Sequence, residues 1–264
     1  MIKETSVNEL KNIWDKYNDY SKLDELLKNM KINEGKEIKD WLHLPIHMPF
    51  IKRELKDLDK NAKVLEAGCG FGQWVFWMAE QGYQAMGIDL SPKAIRTAKD
   101  YAKKNKIKNC EFIEGDVRKM PIKDNYFDII YSFGLIEHFH NTEIILNEFK
   151  RVLKPGGKIF LSVPNKYSSH TLSRIILKIT GKWNLGHECS YTKKSLNKLF
   201  EESDLKILRS GIMPGGELFG RGINKIPLIG DFLFKLFSKL SFYIESNQKI
   251  FSFWIYGVAK KTEK

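Results

Sequence analysis
The chain is poor in cysteine. Three cysteines, Cys69, Cys110 and Cys189, occur in 264 residues, and no two are spaced Cys-x-x-Cys. This excludes a disulfide scaffold and fits free thiols in a reducing compartment. No run of about 18 uninterrupted apolar residues occurs, so no membrane span is predicted. The first residues, Met1 to Thr5, are charged and lack the apolar core of a secretion signal. A cytoplasmic location is expected, with peripheral contact to a membrane left open. There is no internal repeat and no low-complexity segment. His43 and His47 stand at i, i+4, but no third ligand has suitable spacing and Pro45 disturbs the helix that would carry them. No metal site is expected.

Acidic residues are scarce in the last hundred positions. Residues 165–264 hold 17 Lys and Arg against 8 Asp and Glu, whereas residues 1–164 hold 27 against 24. Most of the formal net charge of +12 therefore falls in the last hundred residues. Such a surface suits RNA, an anionic membrane or an acidic partner, and equally a solvated, lysine-rich exterior. The hydrophobic fraction of 42% is ample for one core, and the length fits one domain with insertions.

What is present is concentrated in residues 64–72, Val-Leu-Glu-Ala-Gly-Cys-Gly-Phe-Gly. An apolar run meets an acid and then three glycines at alternate positions. The pattern is a strand that stops at a tight turn, where bare backbone can approach a ligand. Asp89 follows 17 residues after Gly72, at the end of the second apolar run, Ala85 to Ile88. A carboxylate at the tip of the second strand of a βαβ unit can accept hydrogen bonds from ribose hydroxyls. A dinucleotide site spaces its glycines G-x-G-x-x-G; here the third glycine comes one position early.

The turn, with Glu66 two residues before it, resembles the first motif of the class I S-adenosylmethionine (SAM)-dependent methyltransferases. Four further segments resemble that family in order. They are Phe112 to Val117, Tyr126 to Ser132, Gly134 to Phe139, and Glu148 to Leu161 with its Lys154-Pro155-Gly156-Gly157 turn. Together they cover roughly residues 60 to 165. The resemblance implies a Rossmann-like, doubly wound α/β fold: a seven-stranded, mostly parallel sheet with an antiparallel last strand. It implies SAM as cofactor and S-adenosylhomocysteine as product. It places the cofactor against Glu66, Gly68, Cys69, Gly70, Gly72, Asp89, Leu90, Asp116, Val117, Ser132 and Phe133, with Asp116 meeting the adenine amino group.

Periodicity predicts helices within residues 6–60, where Val7, Leu10, Ile13, Trp14 and Tyr17 share one face, as do Leu23, Leu26, Leu27 and Met30. A third is expected from Pro49 to Leu58. Strands are predicted at 63–67, 84–88, 110–114, 127–131, 158–163, 205–210 and 251–260. Helices are predicted at 72–81, 92–104, 142–152 and 193–203, the last capped by Thr192. Residues 1–60 read as a helical cap and 61–264 as the SAM-binding domain. Insertions fall at 165–191 and 212–250. Both insertions carry amphipathic patterns: Leu172, Ile175, Ile176 and Ile179 in the first, and an aromatic-rich stripe over 227–244 in the second. The second is either a helix packed on the domain, a lid, or a peripheral membrane contact.

Methyl transfer needs alignment, exclusion of water and, for a hydroxyl acceptor, a base. The candidate bases are His138, His140, His187 and Tyr191. His138 follows the fourth strand, at the sheet edge where ligands bind, and is the expected catalytic residue, although the resemblance also allows it a general structural role. His140 is expected to face solvent. No Asn/Asp-Pro-Pro-aromatic motif follows the fourth strand, where Ser132-Phe133-Gly134-Leu135 stands instead, and no cysteine nucleophile lies there. A small-molecule or lipid-like acceptor is therefore expected and nucleic acid disfavoured. An RNA methyltransferase and a SAM-binding protein without transferase activity are the alternatives.

Overall fold
The computed structural model describes residues 6–17, 44–213 and 252–262. The stripe at Leu23 to Met30, His43 and the segment 227–244 lie outside these residues. In chain order the elements are α1 (Val7–Tyr17), α2 (Leu44–Leu55), β1 (Lys63–Ala67), α3 (Gln73–Glu80), β2 (Gln84–Asp89), α4 (Pro92–Lys104), β3 (Cys110–Glu114) and β4 (Phe127–Phe133). A single 3-10 turn (Ile136–His138) leads to α5 (Thr142–Val152) and β5 (Leu153–Pro164). Then come α6 (Ser169–Ile179), α7 (Lys193–Glu202), β6 (Leu205–Ile212) and β7 (Trp254–Lys261).

The seven strands form one sheet in the order β3-β2-β1-β4-β5-β7-β6. β1 pairs in parallel with both β2 and β4, and β7 alone runs opposite to the other six strands. The chain winds outward from β1 to β3, then returns to lay β4 on the other side of β1. The order thus reverses between β1 and β4, and a crevice opens at the carboxyl ends of those strands.

Alternate strand residues feed two separate apolar layers. Val64, Ile129, Tyr131 and Phe160 pack with α2, α3 and α4. Leu65, Ile130, Ile159 and Leu161 pack with α1, α5 and α7. This is period-two alternation with both faces covered, as a doubly wound sheet requires. α3 is apolar nearly all round, and Trp74, Val75, Phe76, Trp77, Met78 and Ala79 are all buried. Each large side chain there stabilises the fold by roughly 1.5–3 kcal/mol. α4 starts where its sequence says it should: the Ser91 hydroxyl accepts from Ala94 N at 3.0 Å, and Pro92 opens the first turn. Thr192 caps α7 in a capping box completed by Ser195.

Two starts differ from expectation by five residues. α2 begins at Leu44 rather than Pro49, and Pro49 lies inside it, exposed. Pro45 sits in the first turn, where a missing N–H costs nothing, so it does not disturb this helix. β5 starts at Leu153, because Leu153 pairs with Phe127 before the register shifts and Lys158 meets Ile129. The Pro155-Gly156-Gly157 turn is an irregularity inside a paired strand.

Among the described residues no helix is long and apolar enough to cross a membrane. A Cβ at Gly72, where φ is +81°, would lie 2.2 Å from Phe112 Cε1. Gly72→Ala is therefore predicted to lower stability by about 1–3 kcal/mol in urea unfolding. An unchanged midpoint would contradict this packing.

Candidate active site
The turn after β1 is tied to β2 by main-chain bonds. Gly68 N and Cys69 N both donate to Ile88 O, at 2.9 and 3.1 Å. The Asp89 carboxylate completes the attachment: Oδ2 accepts from Gly70 N at 2.8 Å and Oδ1 from Ser91 N at 2.9 Å. Gly70 has φ +52°, and a Cβ there would meet nothing within 4 Å. The bare turn therefore faces open space, as close approach of a ligand requires.

That space is a cavity of about 180 Å³ at the β1–β4 crevice. Of the predicted cofactor residues, Gly68, Gly70, Asp89, Leu90, Val117 and Phe133 form its wall, and His138 joins them. Glu66, Cys69, Gly72, Asp116 and Ser132 do not. Glu66 is buried below the turn, and one of its oxygens, Oε2, has no hydrogen-bond partner among the described residues. Burial raises its carboxyl well above the ordinary range, against a hydrogen bond from the Val75 main chain. Burial likewise raises the Cys69 thiol, so this cysteine is no nucleophile. Burial alone would raise Asp116, but the side chain and main-chain N–H of Arg118 outweigh it and hold the carboxyl low; the closest contact is 2.7 Å. Ser132 is buried, its hydroxyl without a partner among the described residues.

Four wall residues escaped the sequence reading: Trp14, Gly134, Leu135 and Phe139. Trp14 was visible only as one member of an amphipathic stripe. It comes from α1, which crosses to the cavity and is held there by a hydrogen bond from the Ser91 hydroxyl to Asp15. The Trp14 ring meets His138 edge-on, centroids 4.7 Å apart.

The His138 ring is oriented by the first insertion. Its Nδ1 lies 2.9 Å from the main-chain oxygen of His187. A carbonyl only accepts, so Nδ1 carries the proton and the lone pair is on Nε2. Burial lowers the His138 pKa from its ordinary value, which keeps the ring neutral. His140 is exposed, and its ring lies 3.7 Å from that of His187. Burial, then His140 and Lys178, depress His187 to about 4. Tyr191 is buried and its phenol is pushed far up by burial, so it stays protonated at neutral pH. Glu137, also buried, is raised well above the ordinary range by burial. His47 is buried on α2, its Nε2 2.9 Å from Ser162 Oγ and its ring 4.7 Å from that of Phe133.

Comparison with known proteins agrees with the fold. Residues 58–209 match a methyltransferase-domain family, and the chain belongs to it, as a class I, SAM-dependent member. The chain is 29% identical over 109 residues to sterol 4-C-methyltransferase strm-1 of Caenorhabditis elegans, covering 41% of this chain and 33% of that protein. It is 32% identical over 146 residues to the ubiquinone biosynthesis O-methyltransferase of Pelagibacter ubique, covering 52% of this chain and 58% of that one. The chain thus spans between a third and somewhat over half of these relatives. Among solved structures, phosphoethanolamine N-methyltransferase 2 of Haemonchus contortus, bound to phosphomonomethylethanolamine and S-adenosylhomocysteine, superposes with a TM-score of 0.65. The identity is 17%, covering 96% of this chain and 60% of that chain.

The tautomer and the depressed pKa values are directly measurable. Ring-nitrogen NMR is expected to show His138 with Nδ1 protonated and titrating below 6.5, and His187 titrating near 4. A His138 ring protonated on Nε2, or titrating above 6.5, would contradict this geometry.

Proposed function
We propose that the chain transfers a methyl group from SAM to a small, lipid-like acceptor. One observation carries this reading: a glycine turn open to a cavity, braced by a carboxylate, at the point where strand order reverses. The residues fit the cofactor. A side chain on Gly70 would enter the open space, and each Asp89 oxygen that accepts one N–H retains a further lone pair for a ribose hydroxyl. Gly68, Gly70, Asp89, Leu90, Val117 and Phe133 are the residues we assign to direct contact. Glu66, Cys69, Gly72, Asp116 and Ser132 we assign to shaping the turn and walls from behind. Bound SAM supplies a methyl group already activated on a sulfonium sulfur.

The protein has the remaining tasks. It orients, it excludes water, and it holds or moves a proton. Trp14, Leu135 and Phe139 supply apolar walls against solvent. The Nε2 lone pair of neutral His138 is the base we assign for an acceptor hydroxyl. We read α1 as a cap on the cavity, on the strength of Trp14 and Asp15. The sterol and ubiquinone-biosynthesis enzymes among the relatives, and the aromatic walls, support a lipid-like acceptor.

Asp89→Ala should weaken SAM binding by about 1.5–3 kcal/mol, since a charged acceptor is lost. Unchanged affinity by titration calorimetry would remove Asp89 from the site. His138→Gln should slow methylation of a hydroxyl acceptor about 10²- to 10⁴-fold with SAM affinity retained. The wild-type rate should climb with pH below 6.5 and level off above it, as a ring with lowered pKa loses its proton. A variant as fast as wild type would assign His138 to structure alone.

A further inference from the structure
α6, in the first insertion, is amphipathic the wrong way round for a helix packed on a core. Its polar side faces the protein. Ser173 and Arg174 are buried, and Arg174 donates to Glu188 Oε1 at 2.8 Å and to Ser190 Oγ at 2.9 Å. His170 Nε2 lies 2.7 Å from the same Glu188 oxygen. An ionic and hydrogen-bonded network therefore holds the helix down. The opposite side carries Leu172, Ile175, Ile176 and Ile179, all exposed, Ile179 to 80%. Tyr167, just before the helix, is also exposed. Apart from Ile144, these are the large apolar side chains most open to solvent among the described residues.

A contiguous apolar face of this kind marks an interaction surface rather than ordinary exterior. Its surroundings say which. From Lys166 to His187 there is no Asp or Glu, and Lys166, Lys178 and Lys182 are exposed. Trp183 is half-buried beside the helix, with Lys178 Nζ 5.9 Å from its ring centroid. An apolar stripe flanked by lysines and aromatic residues matches the boundary between acyl chains and anionic headgroups. A second copy of the chain fits poorly, because a two-fold contact through this face would set lysines against lysines.

We propose that α6 is a membrane-docking helix: Leu172, Ile175, Ile176 and Ile179 enter the interface of an anionic lipid bilayer while Lys166, Lys178 and Lys182 meet its headgroups. The Arg174–Glu188–His170 network then couples a docked helix to the segment whose His187 carbonyl orients His138. The proposal does not depend on the acceptor or on SAM binding, because it is read out without either.

The test is co-sedimentation of the full chain with vesicles of phosphatidylcholine, alone or mixed with phosphatidylglycerol. The wild type is expected to bind the mixed vesicles and to release as salt rises. Leu172→Glu/Ile176→Glu should reduce binding by about tenfold or more, with circular dichroism and SAM affinity unchanged, since both positions are exposed. Lys166→Glu/Lys182→Glu should abolish the preference for mixed vesicles. Failure of the wild type to bind, or equal binding by the Leu172→Glu/Ile176→Glu variant, would overturn the proposal. The second result would move the contact to another part of the chain, 227–244 included. A dimer in analytical ultracentrifugation that the same variant abolishes, without vesicle binding, would overturn it in favour of self-association.

Discussion
One carboxylate ties together the two loops that border the crevice. Asp89 accepts a main-chain N–H from the turn after β1 and another from the start of α4, so the two loops that border the cavity share one anchor. The Ile88 carbonyl adds two more ties to the same turn. Burial raises the Asp89 carboxyl above its ordinary value, and the N–H groups of Ser91 and Gly70 pull it back. A group so placed is rigid before any ligand arrives. Rigid acceptors and donors lose little on binding, which is how a preorganised site gains affinity.

Around that anchor the polar groups are sorted by charge state. Glu66 and Glu137 are buried acids pushed toward the neutral form, and His138 is a buried base pushed the same way. The ionic groups nearby are paired internally, Arg118 with Asp116 and Arg174 with Glu188. Apart from Asp89, the wall is largely apolar, which suits chemistry in which the charge resides on the ligand. α1 contributes to the same end by bringing Trp14 against His138 and Asp15 against Ser91.

Much of this was legible in the chain because local chemistry punctuates it. Gly68 ends β1, Ser91-Pro92 starts α4, and Thr192 starts α7, each through a cap or turn preference that acts over a few residues. Strand alternation at Val64 to Ala67 and at Ala85 to Ile88 followed from burial on two faces. The misread boundaries are those where two local signals compete. Pro49 looks like a helix start, yet Pro45 already fills the first turn; Gly156-Gly157 looks like a terminus, yet Leu153 is paired before it. Long-range partners left no trace. Glu54 is fully buried and pairs with Arg209 at 3.0 Å across 155 positions, and His47 meets Ser162 across 115. The site divides the same way. Asp89 and Gly70 announced themselves by spacing, whereas Trp14 looked like any core residue of a helix. The burial of Arg174 was not legible, because the sequence shows only an amphipathic stripe and not which side of it meets the domain.

The Gly68–Gly72 turn and Asp89 together are what we assign as the cofactor site of this methyltransferase domain. A crystal structure of the chain grown with S-adenosylhomocysteine tests it most directly. Density is expected in the cavity bounded by Gly70, Leu90 and Leu135, with the ribose hydroxyls on the Asp89 carboxylate. Density elsewhere, or a ribose with no contact to Asp89, would contradict it.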